Sequence, residues 1–495
     1  GFGVTELIAL WKRAPRPPTK LSRTISSCLP IMTGYDQLYG TGDVRVKLVV
    51  VGGGGLRAPL FVDSALRRAA RTGLTEICLM DVDAAQLELI GALAAELARR
   101  AGGGVSIATT TDAETAFAGA SYVVTTVRPG GIDGRIADER IALSHGVLGQ
   151  ETTGAAGFAM ALRSIPTILG YAETLRRVSP EAWLFNFTNP AGLVTQALRD
   201  AGYSRSVGIC DSANGAQTAV AKWLRLPERS VRAEVFGLNH LSFTRRAEVA
   251  GRDVLPDALA DDRFLAGTVQ RVFAPHVVRR HGVWLNEYLY YYYYADEAVA
   301  AGAAGPTRGE EIQALNQRLL PRLRQAELLA DPGQALDAYF AYERERSATY
   351  MQHTHDDAEP VAAATDTHDG EGYAGVALDL IEALQGGTPI RTGLNVPNEG
   401  AIAGLRDSDV VEVSCVVDHH GIRPQPIGAM PDAQGYLVNS VKHYERLTVE
   451  AVAERSRALA GEALVAHPLV LSYSRAEPLV EKFLAAHAAH VGEWS

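Results

Sequence analysis

The chain has 495 residues, 47% of them hydrophobic, and a net charge of −10, enough apolar material for two domains or one large one. That charge, with no long basic run, argues against nucleic acid or an anionic membrane as the main partner. No apolar run reaches the roughly 20 residues that span a bilayer, and four cysteines (Cys28, Cys78, Cys210, Cys415) without a CxxC pair suit a reducing cytoplasm better than a disulfide framework.

Residues 1–45 differ from the rest. Between Gly1 and Pro30 they carry five Lys or Arg against one acid, Glu6, and the charge follows the apolar stretch instead of preceding it as in a signal peptide. They are expected to form a mobile N-terminal extension without chemistry. The folded part opens with the β-branched run Val44–Val51, which leads through Gly52, Gly53, Gly54 and Gly55 into a helical pattern. "EICLMDVD" reads as a second buried strand before a helix, and "GVSIATTT" and "SYVVTTVR" as a third and fourth around a short helix. "AWLFNFTNPAG" and "SRSVGIC" continue the series. Strands alternating with helices build right-handed βαβ units and a parallel sheet covered on both faces. The expectation is an α/β, Rossmann-like domain over residues 46–209. Beyond residue 210 the rhythm loosens into a mixed α+β part: "VVEVSCVV" is strand-like, and the chain closes on long helices.

Gly52 and Gly54 supply the G-x-G of a dinucleotide fingerprint. The first permits a tight strand-to-helix turn, the second lets a pyrophosphate approach the backbone at a helix N-terminus. Gly53 and Gly55 leave further amides unobstructed, but Arg57 stands where the third fingerprint glycine belongs. A G-x-G alone is weak. The buried strand before it, the helix after it and "LMDVD" closing the next strand strengthen it. Asp81 or Asp83 there would accept the ribose hydroxyls, which favours NAD over NADP. The bland alternative is a tight turn without a ligand.

A nicotinamide fold suggests a hydroxy-acid dehydrogenase, which needs a His–Asp proton relay and an Arg for a carboxylate. No clear relay stands in the sequence, and His145 qualifies only by elimination. Polar residues gather instead in "GQETTG" (149–154), "FTNPAG" (187–192), "SVGICDSANG" (206–215), "VFGLNHLSF" (235–243), "NEYLYYYYY" (286–294) and "PTRGEE" (306–311), at predicted strand ends and loops. Taken singly, a cysteine is usually buried filler, a histidine a satisfied polar group, and an arginine a surface ion pair. His353, His355 and Asp356 in "QHTHDD" have metal-like spacing but sit in a polar loop and are read as solvated.

In order, "VRPGGIDGRIADERIALSHGVLGQETTG", "FNFTNPAGLV", "GICD", "GLNHLSF", "EYLYYYYYADE", "TRGEE" and "LNVPNEGAI" resemble glycoside hydrolase family 4, from about residue 46 to the C-terminus. The resemblance implies a lactate/malate dehydrogenase-like Rossmann fold, with a metal- and substrate-binding domain over residues 210–495. It also implies NAD and a divalent metal, Mn²⁺ foremost, a phosphorylated sugar as the small-molecule substrate, and a homodimer or homotetramer. In such an enzyme, oxidation at the sugar C3 acidifies the C2 proton, the C1 oxygen leaves by elimination, water adds and the hydride returns, a route outside the two-carboxylate scheme. The family's positions fall on Cys210 and His240 as metal ligands, Tyr288 as base at C2, Glu151 as the group adjusting that base, and Asp211 as proton donor. Arg135, Asn189 and Arg308 fall on its substrate-binding positions. "ETTG" and "TRGEE" look β-type and Asp211 α-type. The expected activity is therefore a 6-phospho-β-glucosidase; the alternatives are the α-specific enzyme, another family 4 glycosidase, or a plain NAD-dependent dehydrogenase.

Overall fold

A computed structural model describes residues 45–325, 331–348 and 372–495. The expected extension, apart from Arg45, and the "QHTHDD" stretch lie outside the described residues. Six strands run parallel: β1 (Val46–Val51), β2 (Leu74–Met80), β3 (Ser106–Thr110), β4 (Tyr122–Thr125), β5 (Trp183–Asn186) and β6 (Ser206–Gly208). Their spatial order is β3-β2-β1-β4-β5-β6, the doubly wound order in which the chain reverses direction between β1 and β4. Helices α1 (Ala58–Arg67), α2 (Ala84–Arg100), α3 (Gly131–Ser144), α4 (Ala155–Val178) and α5 (Ala191–Asp200) connect them. Leu48, Val49, Val50 and Val51 are all buried, which is why β1 reads as a continuous apolar run rather than an alternating one.

The second half adds its own layer and also lengthens this sheet. Strands β7 (Arg232–Leu238), β8 (Leu241–Val249), β9 (Arg252–Asp253) and β10 (Trp284–Leu285) form a small antiparallel sheet. Helices α6 (Arg308–Leu323) and α7 (Pro332–Ala348) follow. Then β11 (Ile390–Pro397) pairs antiparallel with β6 through Asn395 and Gly208, and β12 (Val410–Asp418) and β13 (Gly421–Pro424) extend the sheet to nine strands. Alternation in the sequence carries no sign of this antiparallel continuation. Helices α8 (Asp432–Glu454), α9 (Arg457–Ala466) and α10 (Tyr473–Ala486) close the chain. One contiguous apolar core runs through both halves. Among the described residues no helix is long and apolar enough to cross a membrane.

Candidate active site

In a doubly wound sheet the crevice lies beyond the carboxyl ends of the parallel strands. Here the loops after β1, β2, β4, β5 and β6 open on a cavity of about 1300 Å³, covered by the "NEYLYYYYY" segment, α6 and α7. Of the residues selected from sequence, Gly52, Gly54, Asp81, Asp83, Arg135 and Glu151 line it, as do Asn189, Cys210, Asp211, His240, Tyr288 and Arg308. Gly53 does not. His145 lies outside it too, with its Nδ1 2.9 Å from the Ile141 carbonyl at the end of α3.

The glycine loop is shaped by close approach. Gly52 has φ +91°, and a Cβ there would stand 2.8 Å from Thr126 Oγ1. At Gly53 it would stand 2.7 Å from the Leu79 Cβ, so this glycine serves packing against β2. Gly54 donates its N–H to Asp81 Oδ2 at 2.9 Å, and a Cβ would sit 3.0 Å from the same oxygen. Asp83 caps α2, its Oδ1 accepting from the Ala85 and Gln86 amides at 3.1 and 3.0 Å. Asp81, just past β2, therefore bridges the glycine loop and the strand end. These residues fit a dinucleotide: the loop has no side chain where a pyrophosphate would lie, and a carboxylate stands at the ribose position. From the covering side, the Tyr339 hydroxyl of α7 donates to the Leu56 carbonyl at 2.7 Å and docks that helix on the loop.

Cys210 follows β6 by two residues, and His240 occupies the two-residue turn between the paired Leu238 and Leu241 of β7 and β8. That turn demands positive φ, and His240 adopts +60°, a conformation glycine or asparagine takes more readily. Strain of this kind persists where surroundings impose it. The Cys210 Sγ and His240 Nε2 are 3.5 Å apart, both residues buried. Ligand bonds of about 2.0–2.3 Å, meeting at angles between right and tetrahedral, put two donors about 3.1–3.6 Å apart.

The hydrogen bonds also fix which nitrogen is bare. The Gln150 Oε1 accepts from the Thr152 and Thr153 amides at 2.7 Å each, so it is the oxygen; it also takes the Thr152 hydroxyl proton at 2.9 Å. Thr152 Oγ1, 2.7 Å from His240 Nδ1, is therefore an acceptor, and Nδ1 carries the proton. The lone pair of Nε2 points to the sulfur. Burial holds the imidazole at about 4, against the pull of Glu151, so it stays neutral. Burial, then the charges of Asp211 and Glu412, push the Cys210 thiol well above its ordinary value. A bare thiolate is thus disfavoured, whereas a divalent cation deprotonates a coordinating thiol. Thiolate and imidazole together suit a divalent transition ion. No group of three or more His, Cys, Asp or Glu forms a ready-made metal cluster among the described residues. A two-ligand site leaves coordination positions for substrate oxygens.

Tyr288 lies flat on the imidazole, ring centroids 3.7 Å apart and planes within 4°. Of the rest of the run, Tyr290 is buried and stacks on Tyr294 at 5.3 Å, whereas Tyr291, also buried, lines the cavity beside Tyr288. Asp211 precedes a short turn without capping it through its side chain, and its Oδ1 is 3.9 Å from the Cys210 sulfur.

The arginines selected from sequence differ in what they hold. Burial disfavours the charged form of Glu151, but Arg128 at 2.6 Å and Arg135 outweigh it and keep the carboxyl below the usual range. Arg135 is buried, with Nε also 2.7 Å from Glu139 Oε1. Glu139 Oε2 accepts the Gly309 amide at 2.9 Å, tying α3 to the start of α6. Arg308 opens α6 behind a Thr307–Glu310 capping box and donates to Glu311 Oε2 and the Arg346 carbonyl, both at 2.9 Å. With the Gly309 and Glu310 amides satisfied, an anion at this helix end would meet the Arg308 guanidinium rather than bare N–H groups. Asn189 sits in the loop after β5, its carbonyl accepting from the Ser164 hydroxyl at 2.8 Å.

Sequence reasoning missed Gln150, Thr152, Ser212 and Asn286, which orient the selected groups, and Arg128, which pairs with Glu151. All five stand inside motifs singled out from sequence, Arg128 in the stretch that begins "VRPGG". Gln150, Ser212 and Asn286 each also hold a residue two or three positions away. The links from Thr152 to His240, from Asn286 to Ser212 and Ser242, and from Arg128 to Glu151 join residues remote in the chain, which the linear order does not mark.

Residues 47–226 match the profile of the family 4 glycosyl hydrolases, and residues 235–470 that of the family 4 glycosyl hydrolase C-terminal domain. A Bacillus subtilis protein named "Probable 6-phospho-beta-glucosidase" is 30% identical, over 91% of this chain and 98% of that one. The 6-phospho-alpha-glucosidase 1 of Lacticaseibacillus paracasei is 28% identical over 90% and 98%. The solved structure of the Thermotoga maritima 6-phospho-beta-glucosidase, with manganese, NAD⁺ and glucose-6-phosphate, superposes with a TM-score of 0.76 at 27% identity, covering 91% of this chain and 100% of that one. Two adjoining family profiles and full-length relatives agree with the doubly wound sheet and its cavity: the chain belongs to glycoside hydrolase family 4.

Proposed function

We propose that this glycoside hydrolase cleaves 6-phospho-β-glucosides with NAD and a divalent cation, Mn²⁺ foremost, by oxidation, elimination, addition and reduction. The observation that carries the reading is the convergence of the Cys210 sulfur and the bare His240 Nε2, 3.5 Å apart and beside Tyr288, in a cavity that opens on the glycine loop. The names of the Bacillus and Thermotoga relatives support the phosphorylated β-glucoside. Bound NAD and metal would supply a reversible hydride acceptor and a Lewis acid for the sugar hydroxyls. Gly52, Gly54 and Asp81 would hold the former, Cys210 and His240 the latter. Tyr288 removes the C2 proton, and Glu151, held by Arg128 and Arg135, is the group that adjusts it. Asp211 gives a proton to the leaving oxygen. Arg135, Asn189 and Arg308 bind the substrate, Arg308 taking the phosphate. Functionally, residues 46–209 bring the cofactor and, through Arg135 and Asn189, part of the sugar site, and residues 210–495 bring the metal and Arg308. A reducing cytoplasm is part of the reading; Cys78, Cys210 and Cys415 are free thiols.

The α-specific enzyme is the second reading, favoured by Asp211 in the cavity and by the Lacticaseibacillus relative. Turnover of 4-nitrophenyl 6-phospho-α- and β-glucosides, with and without NAD and Mn²⁺, decides between them. Faster release from the α-anomer overturns the β assignment. Accumulating NADH with no nitrophenol from either overturns the glycosidase reading.

A further inference from the structure

One buried amide joins three parts of this site. Asn286, 2% exposed, follows β10 by one residue. Its Oδ1 accepts the Tyr288 amide N–H at 3.0 Å, and since a backbone N–H only donates, that atom is the oxygen. The Nδ2 therefore faces two serines and donates to Ser212 Oγ at 3.1 Å and Ser242 Oγ at 3.2 Å. Both hydroxyls, having accepted, keep their single proton to give elsewhere. Ser212 Oγ stands 3.2 Å from the Cys210 sulfur, where either atom can donate while the thiol is protonated and the hydroxyl must donate once the sulfur is a metal-bound thiolate. Ser242, two residues after His240, is also held by the Asn286 amide donating to its carbonyl at 3.1 Å. On the other flank of the turn, Asn239 donates to Glu412 Oε1 at 3.1 Å. Asn286 is itself fixed from behind: the fully buried Gln270 brackets Leu285, donating to its carbonyl at 2.6 Å and accepting its amide at 3.2 Å.

We propose that Asn286 is the positioning residue that sets the Cys210 side chain, the His240 turn and the Tyr288 backbone in register, through Ser212, Ser242 and its own Oδ1. This rests on the reading of Cys210 and His240 as metal ligands. Partners that orient ligands raise metal affinity, and their loss lowers it by about 10- to 100-fold. Asn286 touches neither metal nor sugar; it acts on where the ligands point.

The test measures binding of Mn²⁺ alone to the NAD-free protein, from the EPR signal of free Mn²⁺, beside NAD affinity from fluorescence quenching. Asn286→Ala is expected to weaken Mn²⁺ binding by about 10- to 100-fold, and Ser212→Ala by about 10-fold, with NAD affinity unchanged within about twofold. In the Co²⁺-substituted protein both should weaken the thiolate-to-cobalt charge-transfer band, which a role confined to fold stability would not alter. Cys210→Ser is the control. If it binds Mn²⁺ like the parent, the ligand reading fails. If it loses Mn²⁺ while Asn286→Ala and Ser212→Ala bind like the parent, the ligands stand and the positioning role falls. Should Asn286→Ala not fold, Ser212→Ala decides alone: parental Mn²⁺ affinity and charge-transfer intensity overturn the proposal.

Discussion

Thr152→Val is the sharpest test of the tautomer assigned to His240. The substitution keeps the shape of the side chain and deletes only the hydroxyl that accepts the Nδ1 proton at 2.7 Å. Gln150 still accepts the Thr152 and Thr153 amides, so the loop stays in place. The buried Nδ1–H loses its acceptor, at a cost of about 1–3 kcal/mol. Free protein escapes that cost by moving the proton to Nε2, facing the Cys210 sulfur 3.5 Å away. A cation must then drive the proton back before Nε2 can bind it, so the same energy appears as an Mn²⁺ affinity lowered by about 5- to 150-fold. NAD affinity should hold, since neither Thr152 nor His240 touches the glycine loop. Free-Mn²⁺ EPR titration gives the affinity, and imidazole ¹⁵N chemical shifts give the tautomer in metal-free protein. An unchanged Mn²⁺ affinity, with the proton still on Nδ1, would refute the reasoning.

Arg308→Ala should raise KM for a phosphorylated glucoside far more than for its unphosphorylated twin, by about 2–5 kcal/mol of lost binding; equal effects on both would remove Arg308 from the phosphate. Gly53→Ala should lower stability by about 1–3 kcal/mol, because its Cβ would meet the Leu79 Cβ at 2.7 Å. Gly54→Ala, facing the cavity, should weaken NAD binding first, and calorimetry with NAD titration separates the two. Burial pushes His467 down to about 3, so the folded protein keeps it neutral while the unfolded chain protonates it near 6.5. That contribution, about 5 kcal/mol, is complete above pH 6.5 and is lost as pH falls toward 3. His467→Asn, which can still accept the Leu469 amide, should flatten the acid side of the stability curve by about 1.4 kcal/mol per pH unit between pH 4 and 6. Denaturant titrations at several pH values check this, and an unaltered slope would locate the acid sensitivity elsewhere.

The parallel half of the fold was legible because its signal is local. Buried strands such as Val46–Val51 are continuous β-branched runs, and the glycine loop punctuates the first one. The antiparallel continuation was not, because β11 joins β6 across nearly two hundred residues and pairs through a single residue of each, Asn395 and Gly208. The selected side chains were findable as chemistry-bearing residues in recurring motifs. What the sequence could not disclose was their division of labour. Asp81 and Asp83 look alike in "LMDVD", yet only coordinates show Asp83 spent on a helix cap. Arg135 and Arg308 look alike as candidate clamps, yet one lies buried between two carboxylates and the other opens a helix.

The strand that delivers Cys210 is three residues long, and in the parallel half alone it would be the last of its sheet. β11 covers that flank. Expressed by themselves, residues 46–209 would present an unsheltered row of amides and carbonyls on their shortest strand, an invitation to strand exchange and aggregation. The two profiles meet near residue 230, yet the nine-stranded sheet runs on past that boundary. The boundary therefore records how the sequence is classified; mechanically there is no joint there about which a jaw could swing.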